Sequence, residues 1–384
     1  MIDIYHKVNY NNIFKILISI WILSIPFKNV IFQISILLIP TFFAYYLFKT
    51  KQFSTLIANL KETKYLFVGF CFIVFSMILS NLLNPEFLDK KSWHTIYMFV
   101  IRYGLIFVIL AYFYRLEFFT KKEILVLVVF SLSVLLCTGI YQILQEPTVI
   151  IKEGITGTLN NRNAFGLMMG MGVVLSLCLI KYKRIFALFF LLLFSFFMIF
   201  SFCRSSWVAS FSATAIFCLL NYKQFRLKHL GFLALFLGFL LILYFSFDSF
   251  QTRFAQLLEG NSSGRTMIWQ HTIVLIEKSL FVGYGMDSWK NLGDEFLLQY
   301  PDSHNMILEI LIKTGVIGLI ACFFTIGVVL IKIFKTKNYI LLPIATYFLV
   351  ITQFDFGAFG SKELLSFLTI FVFYLYSDSF KLAK

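Results

Sequence analysis

Apolar runs long enough to cross a bilayer recur from one end of this chain to the other. About 20 consecutive apolar residues in a helix span the hydrocarbon core. We read about twelve runs of roughly that length, near 13–26, 30–48, 65–83, 95–114, 124–144, 163–180, 185–201, 205–220, 230–247, 304–331, 339–354 and 364–376. The first two are separated only by Pro26-Phe27-Lys28, which suits a tight helical hairpin. The first run, Ile13 to Ile25, is followed by no small-residue cleavage site, so it is kept as a helix. With 60% hydrophobic and 14% charged residues, the chain is neither a soluble globular protein nor a disordered one. The expected fold is an all-α polytopic membrane protein. No internal repeat or linker breaks it, so residues 1–384 are expected to form a single integral membrane domain.

The formal charge of +14 suggests nucleic acid until the spans are drawn. Alternate connections then carry twenty basic residues against five acids, a balance of +15, and the rest of the chain is close to neutral. These bases include Lys49, Lys51, Arg115, Lys121, Lys183, Arg184, Lys223, Lys332 and Lys335. Basic loops stay on the cytoplasmic side, so the excess charge is a topology signal. It places both termini in the cytoplasm and residues 248–303 in one large loop on the opposite, periplasmic side. No partnership with nucleic acid is expected, because no basic patch interleaved with aromatics appears.

The six cysteines show no CxxC or Cys/His spacing, which suggests neither a zinc site nor a disulfide framework. No Walker A, HExxH or GxSxG pattern is present.

The longest polar interval, Ser263 to Asn305, is where chemistry is expected. Arg265 follows Gly264 and opens the pattern Thr266-Met-Ile-Trp269…Ile273…Ile276. Apolar residues three and four apart predict an amphipathic helix at the membrane surface. Arg265 would then sit in its first turn, where backbone N–H groups also favour an anion, and Gly264 would let a ligand approach the backbone. Arg204 stands at a turn between two apolar runs. Most such arginines snorkel to headgroups, but a guanidinium fork also matches a phosphate and never loses its charge. His304 begins a long apolar run with Asn305 next and Glu309 about one turn on. A histidine there is either a capping or interfacial residue, or a base able to take a proton from a hydroxyl. Arg102 and Lys313 fall within apolar runs, where charges normally face a bundle interior.

Taken in order, these stretches resemble the bacterial O-antigen ligase/polymerase family. The matching pieces are Gly157-Thr158…Asn161…Asn163-Ala164, Arg204-Ser205, Ser263-Gly264-Arg265…Trp269, Gly283-Tyr284-Gly285 and His304-Asn305…Leu308-Glu309…Gly315-Val-Ile-Gly318. The chain departs from the family pattern at Ser279 and Arg162, where the family often has Pro, and at Cys203, where it often has Ser. Arg162 is therefore not carried over.

The resemblance implies a fold similar to the multi-span GT-C-type glycosyltransferases that use lipid-linked donors. It implies an O-antigen ligase of lipopolysaccharide biosynthesis in the bacterial inner membrane. Such an enzyme moves glycan from undecaprenyl diphosphate to the lipid A–core oligosaccharide at the periplasmic face, inverting the anomeric centre without metal or cofactor. His304 would be the catalytic base, and Arg204 and Arg265 would bind the donor diphosphate. Asn161, Asn163, Gly264, Asn305 and Glu309 would be further substrate contacts. The partners implied are that donor, that acceptor and membrane lipids. A polymerase of the same family and a protein O-oligosaccharyltransferase fit the same motifs. A polysaccharide transporter or flippase would suit the span number, but should place polar residues near the midplane in related halves. The candidates here gather at one face.

Overall fold

A computed structural model describes residues 2–27, 29–150, 153–159, 161–180, 182–224, 244–258, 264–300, 302–355, 359 and 361–382. Among these the chain is all-helical, with no strand. The first helices are α1 (Ile2–Ser24), α2 (Asn29–Thr50), α3 (Phe53–Glu62), α4 (Lys64–Leu83), α5 (Ser92–Phe99), α6 (Ile106–Arg115) and α7 (Lys121–Gln145). Then come α8 (Arg162–Leu179), α9 (Arg184–Phe200), α10 (Arg204–Leu220), α11 (Asp248–Leu258) and α12 (Arg265–Lys278). The last are α13 (Met306–Thr336), α14 (Leu342–Ile351) and α15 (Lys362–Leu382).

Among the described residues, seven helices are long and apolar enough to cross a membrane, and four shorter apolar helices accompany them: Tyr10–Ser24, Arg184–Phe200, Arg204–Leu220 and Tyr339–Ile351. These eleven coincide with eleven of the twelve expected spans. Most of the twelfth, at 230–247, lies outside the described residues. The protein is a polytopic helical membrane protein.

The chain divides into two compact units. One comprises residues 1–131, 267–337 and 356–384, and the other residues 132–266 and 338–355. In the first unit, phenylalanines supply much of the packing between spans. Phe14 of α1 lies 4.0 Å, centroid to centroid, from Phe113 of α6, and Phe42 and Phe118 close around the pair. Between α5 and α6 a π-helical turn, Val100–Leu105, carries Arg102. The guanidinium lies 6.0 Å from the ring of Phe32, and its Nε has no hydrogen-bond partner among the described residues.

The most irregular feature of this unit is a break in α13. Gly315 has φ 63° and ψ −164° there. Freed carbonyls must be satisfied, and the Gly283-Tyr284-Gly285 stretch does it: Tyr284 N–H donates to Ile312 O (2.8 Å) and Gly285 N–H to Lys313 O (3.0 Å). In return Val316 N–H donates to Leu280 O (2.9 Å). A Cβ on Gly315 would come within 2.2 Å of Phe281 backbone atoms, so only glycine fits. The glycine motifs thus have a packing purpose: they thread one backbone through the break in another.

In the second unit α8 packs on α9, and α10 packs on α14 and α8. A Cβ on Gly166 of α8 would lie 2.4 Å from Cys203 Cβ. Small residues let helices approach closely in a membrane, and this one seats the turn before α10 against α8. Tyr347 of α14 donates to Leu167 O at 2.7 Å.

Candidate functional site

The second unit gathers arginines around one carboxylate. Asp355 follows α14 and its side chain is 3% exposed. Its Oδ1 lies 3.2 Å from Arg265 Nη2 and accepts Asn163 Nδ2 at 2.7 Å. Its Oδ2 accepts the Ser205 hydroxyl and, at 3.6 Å, the Cys203 thiol. Burial, and then the charge of Asp355, push that thiol up to about 12. Cys203 therefore stays protonated and acts as a neutral donor.

Each partner is set by local structure. Gly264, at φ 84°, turns the chain into α12 so that Arg265 occupies the helix's first position. Asn163 lies in the first turn of α8, capped by Asn161, whose side-chain oxygen accepts the Asn163 and Ala164 amides at 2.8 and 3.3 Å. Arg204 opens α10, and Cys203 stands at its N-cap.

More positive charge surrounds the pair. Arg204 feels the charges of Arg265 and Arg162, and only then the opposing charge of Asp355. Arg253 of α11 feels Arg162 and Arg204 and lies 3.3 Å from Gln256 Oε1. Burial lowers the Arg253 guanidinium pKa first, and those two arginines push the same way. Four guanidiniums that feel one another, with one buried carboxylate among them, are a concentrated positive charge in a partly desolvated place. A polyphosphate is the ligand chemistry that best offsets it.

The first unit holds His304, Asn305 and Glu309. His304 precedes α13 rather than opening it and takes φ 51°, an uncommon conformation for a non-glycine residue. Asp302 stabilises it: its Oδ1 accepts the His304 backbone N–H at 2.7 Å and lies 3.2 Å from Nδ1. With a proton on Nδ1 facing that carboxylate, the basic lone pair resides on Nε2. Trp269 Nε1 donates to Ser303 O at 3.0 Å and fixes the loop on α12. The N-cap of α13 is Asn305, whose side chain accepts Leu308 N–H at 3.0 Å. A capping role is thus filled by the residue beside His304. Glu309, expected as a substrate contact, is buried and pairs with Lys313 one turn on.

Sequence reasoning singled out Arg204, Arg265 and Asn163, which share one cluster in the structure. It missed Asp355 and Arg253. Asp355 sits in an expected non-cytoplasmic connection, but nothing local marks it. Arg253 reads as an ordinary helix-surface arginine. Within α12 the buried stripe is Ile268, Thr272, Leu275 and Ile276, while Ile273 faces outward. The stripe is chosen by what it packs against, Tyr284, Trp289, Leu297 and Ile312.

Residues 187–323 match the family model described as O-antigen ligase. The chain carries an O-antigen ligase family domain. The matched stretch contains Arg204, Arg253, Arg265, His304 and Glu309 and leaves out Asn163 and Asp355. No curated protein matches the chain in sequence. This match, on a helical membrane scaffold, supports a glycosyltransferase-like function of the ligase/polymerase group. That group works on lipid-linked glycans in a membrane.

Proposed function

We propose that the chain is an O-antigen ligase. It transfers glycan from undecaprenyl diphosphate to the lipid A–core oligosaccharide in lipopolysaccharide biosynthesis. On this reading it is one inner-membrane domain with both termini in the cytoplasm, and residues 248–303 are the periplasmic loop carrying part of the active site. The observation that carries the reading is the cluster of Arg265, Arg204, Arg162 and Arg253, in which the buried Asp355 carboxylate pairs with Arg265.

The chemistry follows from the charges. An acceptor hydroxyl oxygen attacks the anomeric carbon while the bond from that carbon to the diphosphate oxygen breaks. The bonding pair leaves on the diphosphate. His304 Nε2 takes the hydroxyl proton as the new glycosidic bond forms. Arg204 and Arg265 balance the charge that grows on the departing diphosphate. Diphosphate is a good leaving group unprotonated, so one base and fixed positive charge suffice. Attack from the face opposite the leaving group inverts the anomeric centre. Asp302 positions the imidazole and favours the tautomer with Nε2 basic.

The test is the glycolipid profile of a deletion strain. Loss of all glycan on lipid A–core, with lipid-linked polymer accumulating, supports a ligase. A single repeat unit still attached would instead identify the polymerase of the same family.

A further inference from the structure

A groove of about 830 Å³ lies within the first unit, between α12 and the loop that follows Leu292. Its volume falls within the range of about 300–1,000 Å³ typical of small-molecule sites. One wall is a stripe of α12 that includes Gln270 and His271, and the other carries Asp294, Glu295, Phe296 and Gln299. We infer that this groove binds sugar rings of the acceptor, which rests on the reading of the chain as a glycan-transferring ligase.

The chemistry of the walls carries the inference. A sugar presents hydroxyls that both donate and accept, together with flat C–H faces. Amides and carboxylates offer paired, planar hydrogen-bonding edges to vicinal hydroxyls. Gln270, Gln299 and Glu295 supply three of them in one groove, while Asp294 holds the loop that carries two of these. The flat surface comes from Phe296, which stacks on the His271 ring at 4.6 Å and 28°. Aromatic side chains give large contact area at little entropic cost. The lining has two carboxylates and one lysine, so it does not attract a polyanion. In this it is unlike the arginine cluster, and the donor's diphosphate is the wrong ligand for it.

The groove is preorganised. Asp294 Oδ1 accepts the Phe296 and Leu297 amides at 3.0 and 3.1 Å, and its Oδ2 lies 2.8 Å from His271 Nδ1. Trp289 Nε1 donates to Leu297 O and Tyr300 O, holding the loop from beneath. Gly293, at φ 73°, has open space beside it. The same loop runs on to Asp302 and His304, and Trp269, next to Gln270 on α12, anchors Ser303. A saccharide seated here lies along the segment that presents the base.

The test uses the full chain in detergent. The probe is the oligosaccharide freed from lipid A–core by mild acid, followed by saturation-transfer NMR. Transfer kinetics with intact lipid A–core run beside it. Phe296→Ala and Gln299→Ala should weaken probe binding and raise the acceptor KM about tenfold, with kcat and donor KM held within about twofold. Unchanged probe binding and acceptor KM in both variants, correctly inserted, overturns the inference, as does a loss that falls on donor KM instead. The binding arm decides even if the wild-type chain transfers nothing. In that case a bound probe lost in both variants upholds the groove while the ligase reading fails.

Discussion

Arg265 Nη2 lies 3.2 Å from Asp355 Oδ1, and the carboxylate is almost wholly buried. The pair joins the first turn of α12 to the segment after α14, and Asn163 and Ser205 bond the same carboxylate. Asp355 touches Arg265 and so acts through it, as a residue that aims the guanidinium. Asp355 also acts on Arg204, while Arg162 and Arg265 add like charge beside it, and a diphosphate would offset that concentration of positive charge.

Asp355→Ala is therefore expected to act twice. Removing one partner of a buried ion pair costs about 3–5 kcal/mol, so the detergent-solubilised protein should unfold at a lower temperature. Asp355→Asn keeps the volume and part of the hydrogen bonding. It should insert normally, yet raise donor KM because Arg265 is no longer held. A donor KM equal to wild type in Asp355→Asn would show that the carboxylate is structural only.

Arg265→Lys and Arg204→Lys should each lose most of the transfer activity, because an ammonium cannot reproduce a two-pronged phosphate contact. Arg253→Lys belongs in the same series, since Arg253 feels the charges of Arg162 and Arg204. Turnover is to be measured at saturating and at limiting donor. Near-normal rates in all three variants at both concentrations would leave these arginines as interfacial anchors.

Much of this architecture is legible in one dimension. Bilayer crossing depends on local hydrophobic length, so eleven spans could be read from runs of apolar residues. The entry into α12 was legible too, because Gly264 and Arg265 are neighbours. Asp355 was not, since its role exists through residues such as Arg265, Asn163 and Ser205, all far off in sequence. Nor could the sequence say why Gly283 and Gly285 matter. Their reason is Gly315, which breaks α13 and exposes carbonyls that the Gly283–Gly285 stretch then satisfies. For the cap of α13 the sequence put forward His304, and the backbone corrects it: His304 takes a left-handed turn, and Asn305 caps.

The charge asymmetry of the loops predicts sidedness. A reporter fused within 260–264 should be active in the periplasm, and one within 223–228 in the cytoplasm. Both fusions read one segment, so together they fix its orientation. The reverse pattern would place His304 in the compartment that lacks the proposed acceptor.

His304→Ala should abolish transfer in a protein that still inserts and binds the lipid-linked donor. The reasoning separates two tasks. Donor affinity comes from guanidiniums, whereas His304 acts on the acceptor hydroxyl through Nε2, with Asp302 3.2 Å from Nδ1. Losing a general base costs about 10²- to 10⁴-fold in rate with little change in ground-state binding. A purely structural histidine predicts another result. The cap of α13 is Asn305, so what His304 could lose structurally is its turn. That loss would appear as a lower melting temperature, with activity per folded molecule preserved. Donor binding and transfer are to be measured separately on purified His304→Ala, with the exposed His94→Ala as control. Asp302→Asn should show a milder fall in kcat, since it keeps the turn but weakens the tautomer preference. Transfer per folded molecule that survives in His304→Ala, or donor binding lost as fully as in the arginine variants, would remove His304 from the role of base.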